Sequence, residues 1–169
     1  MDISFFLIFI FFIGILILLL KFKIKLKSNK GNYKYRKKRN LLSNAELSFY
    51  KCLEMIKEDS DQIFCKVRVS DVLSCIEKDR KNWRIGLSKI NQKHFDYVIV
   101  NKNNYNIKYA IELDDASHNS AKRKKRDQFL NEACKTAELK LIRIKAKAKY
   151  ELNQLKSEIN QEDTQNAIR

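Results

Sequence analysis

HFDYVIV (residues 94–100) and IKYAIEL (residues 107–113) are the stretches of this sequence that most strongly predict a fold. Both are rich in β-branched and aromatic residues, which favour β-strands. The six residues between them include four asparagines, a residue type that favours turns because it tolerates positive φ. We therefore predict an antiparallel hairpin at this place in the chain.

The sequence on either side of this hairpin predicts helices and two further strands. Ser43 and Glu46 have the spacing of a capping box, which marks the first turn of a helix. The predicted elements are a helix from Ser43, a strand at 62–69, a helix at 71–79, a helix that ends near 137, a strand at 139–144 and a helix at 149–160. Their order predicts a mixed α/β domain with a short central sheet covered by helices.

The N-terminal stretch FFLIFIFFIGILILLL (residues 5–20) is large and apolar except for Gly14. Residues 3–20 would form about 27 Å of α-helix, against a hydrocarbon core about 30 Å thick. A cleaved signal peptide is the alternative, but Asp2 precedes the apolar stretch and no small-residue cleavage site follows it. The pattern therefore predicts one transmembrane anchor over residues 1–20.

Ten lysines and arginines and no acid occupy residues 21–39. Basic residues beside an anchor stay in the cytoplasm, so we predict an inner-membrane protein with its N-terminus outside and its C-terminal domain in the cytoplasm. Membrane lipid is the predicted partner of residues 3–27. The basic run at 21–39 has two explanations, namely contact with anionic lipid or a tether for nucleic acid. The first is favoured because the position beside the anchor accounts for the charge.

Composition excludes several other classes of protein. With three glycines and no proline in 169 residues, a glycine-rich phosphate loop is excluded. The four cysteines form no C-x-x-C pair, so a zinc ribbon is not expected and reduced core thiols are predicted. The predicted organisation is an anchor at 1–20, a basic juxtamembrane linker at 21–40, a globular domain at 41–160 and a polar tail at 161–169.

Three carboxylates meet if the hairpin pairs residues whose numbers sum to 208. Asp96 then lies across from Glu112, and the period of two along a strand places Asp114 on the same face. Such acids repel one another unless a cation is present, and hard oxygen ligands suit Mg²⁺ or Mn²⁺. A register slip of one residue would turn Asp96 to the other face, and acids paired with nearby lysines are the alternative explanation.

A histidine and a basic run follow these acids. His118 comes four residues after Asp114 and can act as a base near neutral pH. Basic residues occupy positions 122–126, where the next helix is expected to begin. The helix dipole disfavours positive charge at that end of a helix. A phosphodiester substrate or a solvated helix start would each explain them. The candidate nucleic-acid-binding residues are Lys122, Arg123, Lys124 and Arg126.

Ordered motifs carry a resemblance to a known family. They are LLSxxExxFY (41–50), HFDYVI (94–99), AIELDDxxH (110–118), RDxFL (126–130) and LIRI (141–144). The chain resembles the bacterial family of domain of unknown function 2726 over about residues 41–150. That family is similar to the very-short-patch-repair-like branch of the PD-(D/E)XK nuclease superfamily, and its members often carry an N-terminal membrane segment.

The resemblance implies a restriction-endonuclease-like three-layer core with a short mixed sheet, preceded by one transmembrane helix. It implies hydrolysis of nucleic acid that depends on Mg²⁺ or Mn²⁺, without a small-molecule cofactor. The implied metal ligands are Asp96, Glu112 and Asp114, and the implied catalytic residues are Glu112, Asp114 and His118. Asp127 and Arg143 match motif positions with a structural role.

Two departures from the family pattern leave a second function open. Asp114 stands where many superfamily members have a lysine that helps to activate the attacking water, and Asp115 stands where many related chains have glycine. The acids favour a membrane-anchored cytoplasmic nuclease. The missing lysine favours an inactive nuclease-like domain that binds nucleic acid or protein at the membrane.

Overall fold

The computed structural model describes residues 3–27, 33–114 and 121–166. The chain divides into two compact units, Met1–Arg39 and Asn40–Arg169. The first unit contains helix α1 (Ile3–Lys27). The domain boundaries at 20, 40 and 160 stay a prediction.

Helix α1 corrects one of the sequence-based expectations. Of the helices in the described ranges, none has the combination of length and hydropathy that crossing a membrane requires. The stretch at 3–20 gives about 27 Å of helix against a hydrocarbon core about 30 Å thick, and α1 gains its remaining length from a segment with a lysine at every second position. The predicted transmembrane helix, the inner-membrane localisation and the predicted orientation are therefore wrong.

The described residues of the second unit form a mixed α/β domain around a four-stranded sheet, as the sequence predicts. The strands are β1 (Asp61–Arg68), β2 (His94–Asn101), β3 (Ile107–Asp114) and β4 (Leu141–Lys145), in the spatial order β1-β2-β3-β4. The first three are antiparallel, whereas β4 is parallel to β3. Tyr97 pairs with Ile111, which confirms the predicted register, and the pairing shifts only at a bulge between Ile99 and Val100.

Five helices are described in this unit: α2 (Asn44–Ile56), α3 (Val69–Val72), α4 (Arg80–Asn91), α5 (Ala121–Thr136) and α6 (Leu152–Asn166). The capping box at Ser43 and Glu46 is confirmed. The helix predicted at 71–79 is wrong. The carboxylate of Asp79 accepts a hydrogen bond from the backbone N–H of Asn82 at 2.8 Å, so a helix begins after Asp79 rather than ending there.

Alternation along the central strands divides the core into two clusters. From Tyr97 onward in β2, and in β3, odd-numbered residues such as Tyr97 and Ile111 pack against α2 and α6, whereas even-numbered residues such as Val98 and Ala110 pack against α3, α4 and α5. Helices therefore cover both faces of the sheet. Full burial of each large apolar side chain contributes about 1.5–3 kcal/mol. The four cysteines are free thiols, and Cys134 is buried in the second cluster.

Candidate functional site

A row of four charged side chains crosses the sheet, one from each strand. The strand registers place Lys66 of β1 beside Asp96 of β2, Asp96 beside Glu112 of β3, and Glu112 beside Arg143 of β4. Neighbouring side chains in such a row lie about 5 Å apart, close enough for each charge to act on the next. The row opens into a cleft of about 270 Å³, which is also lined by Glu46 from α2 and by residues from α5.

Glu112 is the buried acid of this cleft. The residue is only 3% exposed. Its Oε2 accepts a hydrogen bond from Nη2 of Arg126 at 2.9 Å. Its other oxygen, Oε1, is buried and has no hydrogen-bond partner among the described residues. Burial, and then the charge of Asp96, raise the pKa of Glu112 to about 7, although Arg126 and Arg143 oppose the shift.

Asp96 is held in place by two contacts on different strands. Its Oδ1 lies 2.6 Å from Nζ of Lys66, and its Oδ2 accepts a hydrogen bond from the backbone N–H of Leu113 at 3.0 Å. Both carboxylate oxygens therefore have a donor, and the side chain lies between β1 and β3. The adjacent Tyr97 donates its hydroxyl to the carbonyl oxygen of Glu46 at 2.6 Å and so ties α2 to the same part of the sheet.

Lys66 is a site residue that sequence reasoning missed. Its ammonium bridges Asp96 and Glu46. Burial alone would lower the pKa of Lys66, but hydrogen bonds to Asp96 and Glu46 raise it above its usual value. Its φ of 56° lies in the left-handed region, which costs a non-glycine residue about 1–2 kcal/mol. Only the pairing of β1 with β2 brings Lys66 to the cleft, and no local sequence pattern around residue 66 predicts this position.

Asp114 points to a basic partner of its own. Its Oδ1 accepts a hydrogen bond from Arg143 at 3.0 Å, and Arg143 also donates to Oδ1 of Asn131 at 3.0 Å. A second acid, Asp127, lies 3.7 Å from Nη1 of Arg143. Arg143 therefore contacts two acids and an amide, and the structural role of Arg143 and Asp127 stays a prediction.

Each acid of the predicted metal site is thus paired with a separate base. Lys66 pairs with Asp96, Arg126 with Glu112, and Arg143 with Asp114. In the described ranges, no three histidine, cysteine, aspartate or glutamate side chains are grouped as a metal site requires. The predicted ligand set and the choice of Mg²⁺ or Mn²⁺ stay predictions.

The structure describes only some of the remaining predicted site residues. His118 and Asp115 lie outside the described residues, as do the side chains of Lys122 and Arg123. Lys124 is exposed on α5, whereas Arg126 lines the cleft. Of the candidate nucleic-acid-binding residues with described side chains, Arg126 is therefore the one that meets the acids.

The fold and the cleft define a mixed α/β domain with a charged row at one end of its sheet. Residues 38–162 match the family described as Protein of unknown function (DUF2726). The match covers more than half of the chain, so the protein belongs to this family, as the sequence motifs predict. No curated protein and no solved structure matches the chain.

Proposed function

We propose that this domain is a nuclease of the PD-(D/E)XK type that hydrolyses phosphodiester bonds in nucleic acid with the help of a divalent cation. The observation that carries the proposal is the buried Oε1 of Glu112, which has no hydrogen-bond partner among the described residues although Glu112 lines the cleft. An unsatisfied buried acceptor costs about 1–3 kcal/mol, and more when it is charged. A cation that binds this oxygen would remove the cost.

The donor chemistry of the cleft suits a hard cation. Mg²⁺ usually takes one or two protein carboxylates and completes its shell with water and substrate phosphate oxygens. Glu112, through Oε1, and the neighbouring Asp96 are the residues that would hold it. Bound there, Mg²⁺ or Mn²⁺ would polarise a phosphoryl oxygen and lower the pKa of a water molecule.

The basic residues of the cleft would bind and orient the phosphate. Lys66 brings an ammonium group into the cleft from β1, although the superfamily's usual lysine position holds Asp114. Arg126 brings a guanidinium group from α5. Both would donate hydrogen bonds to phosphate oxygens, and preorganised donors of this kind stabilise the charge that develops in phosphoryl transfer.

Hydrolysis of labelled DNA and RNA by the full chain, with Mg²⁺, Mn²⁺ or a chelator, tests the proposal. We expect Glu112→Gln to reduce the rate at least about 100-fold, since even residues that only support metal ligands contribute 10–100-fold. The matched control is Asp61→Asn, because Asp61 is also a 3% exposed acid but does not line the cleft. Equal activity of Glu112→Gln and wild type, or no cleavage with either metal, would refute the proposal.

The three ion pairs favour a second candidate function. Because Asp96, Glu112 and Asp114 each have a basic partner within the domain, none of the three requires a cation for charge pairing. An inactive nuclease-like domain that binds nucleic acid would need no cation in this cleft. Calorimetric titration of the full chain with Mn²⁺ separates the two functions. Mn²⁺ binding that is lost in Glu112→Gln supports the enzyme, and its absence together with nucleic-acid binding supports the inactive module.

A further inference from the structure

Helix α4 has an unusual charge distribution. It contains four basic residues and no acid, and all four basic side chains are exposed: Arg80, Lys81, Arg84 and Lys89. None of them forms an ion pair with an acid in the described part of the chain. The adjacent acid, Asp79, is engaged in capping the helix through the backbone N–H of Asn82.

This distribution works against the stability of the helix. Arg80 and Lys81 lie in the first turn, where the helix dipole disfavours positive charge. Arg84 follows them at spacings of four and three residues, which places like charges next to each other on the helix surface. An anionic partner along this surface would relieve both effects.

The basic charge continues from α4 to the cleft. The ammonium groups of Lys89 and Lys93 lie 5.8 and 4.6 Å from the ring centre of Phe129 on α5. Burial, and then the charges of Arg126 and Lys89, lower the pKa of Lys93. Arg126 in turn contacts Glu112 inside the cleft. Lys89, Lys93 and Arg126 therefore lie close to one another beside the cleft. These three bases, together with Arg80, Lys81 and Arg84 on the exposed surface of α4, are here called the basic track.

We infer that the basic track binds the sugar-phosphate backbone of a nucleic acid and leads it into the cleft. This inference rests on the proposed function, since it takes the cleft as the place where a phosphate is bound. A line of cations that ends at a candidate phosphate site matches the regular charge of a polynucleotide. Trp83 on α4 is 40% exposed, so it offers a ring on which a base can stack.

The test compares two triple variants of the full chain in equilibrium binding to labelled oligonucleotides, with chelator present so that no cleavage is needed. Arg80→Gln/Arg84→Gln/Lys89→Gln removes three charges from the track. Lys51→Gln/Lys149→Gln/Lys156→Gln is the matched control, since it removes three charges from exposed lysines that lie outside the track. Each lost phosphate contact lowers the salt dependence of log K by about 0.7–0.9, so the track variant is expected to lose about 2–3 in slope, whatever the oligonucleotide sequence.

A second readout locates the bound nucleic acid. Trp83 is the sole tryptophan of the chain, so quenching of the intrinsic tryptophan fluorescence by an unlabelled oligonucleotide reports contact at α4. We expect quenching in wild type and in the control variant, and a loss of quenching in the track variant at the same concentrations. Tight binding without any quenching would contradict the inference that the sugar-phosphate backbone of the nucleic acid runs along α4.

The other outcomes overturn either this inference or the proposed function, and they are distinguishable. Equal weakening by the two triple variants would show a general charge effect and overturn the inference. Preferential binding of polyglutamate or of anionic phospholipid vesicles, lost in the track variant, would assign the surface to another partner. Nucleic-acid binding without hydrolysis would refute the proposed nuclease activity and leave the inference about the track intact. Hydrolysis by a track variant that binds nucleic acid with unchanged affinity would refute only the inference about the track.

Discussion

Asp61 and Glu112 are the two buried acids among the described residues, and their surroundings differ. Each residue is 3% exposed, and each lines a cavity, of about 200 Å³ for Asp61 and about 270 Å³ for Glu112. Asp61 lies 2.8 Å from Nζ of Lys108, which also binds Glu58 at 3.1 Å. Glu112 has Arg126 on one oxygen and nothing described on the other. Burial beside a cavity is therefore common to both acids, whereas the unsatisfied oxygen distinguishes Glu112.

The largest expected difference between the two acids lies in the pH dependence of stability. The pKa of Glu112 is about 7 in the folded protein against an ordinary value of 4.5, because burial disfavours its charged form. Between these values the folded state binds more protons than the unfolded state, so stability falls as the pH rises from about 4.5 to about 7. The predicted loss is about 3 kcal/mol, measured by urea unfolding across this interval.

Two variants check the origin of that pH dependence. Glu112→Gln carries no titrating group at this position, so its free energy of unfolding is expected to change much less over the same interval. Asp61→Asn is expected to show the same fall in the free energy of unfolding with rising pH as the wild type. A fall in stability that persists in Glu112→Gln would assign the effect to another group.

Removal of the basic partner of Asp61 gives the next largest effect. Lys108→Met leaves a buried acid without its ion pair, and we expect a loss of about 2 kcal/mol at neutral pH. Chemical denaturation measures the loss. The double variant Lys108→Met/Asp61→Asn is expected to recover part of it, since the uncompensated charge is then gone. A single variant as stable as wild type would mean that Asp61 is satisfied in another way.

The equivalent change at Glu112 is expected to cost less. Arg126→Met removes a guanidinium that lowers the pKa of Glu112, so the acid takes up a proton more readily instead of remaining buried and charged. We expect a loss of about 1 kcal/mol at neutral pH, which shrinks further toward acidic pH. A loss in Arg126→Met that exceeds that of Lys108→Met would reverse the comparison between the two acids.

The smallest predicted effect concerns the backbone of Lys66. Because its φ is 56°, glycine relieves strain there that alanine keeps, although glycine loses more conformational entropy in a strand. Lys66→Gly is therefore expected to be more stable than Lys66→Ala by about 0.5 kcal/mol. Thermal and urea unfolding of the pair measure the difference, and a more stable alanine variant would argue against the left-handed conformation.

Local patterns predicted much of the domain. The β-branched and aromatic runs identified β2 and β3, and the spacing of Ser43 and Glu46 located the start of α2. The same patterns failed where signals competed. The local pattern ends a helix at Asp79, whereas Asp79 caps the next helix, and the apolar N-terminal stretch predicts a membrane span that α1 does not provide. In both places the sequence pattern correctly indicates a helix, but it does not give the position at which the helix begins or the length that a membrane span needs.

The sequence by itself determined that β2 and β3 are neighbouring strands of one hairpin, because two β-type runs joined by a short asparagine-rich turn fix that relation locally. The register that places Asp96 across from Glu112 is one of those that the sequence allows, and the strand pairing decides it. Only the tertiary structure decided which base pairs with which acid. Lys66, Arg126 and Arg143 come from three different elements, and each meets its acid only when β1, α5 and β4 pack together. Ion pairs across such separations depend on packing rather than on local spacing, which is why the free oxygen of Glu112 has no signature in the sequence.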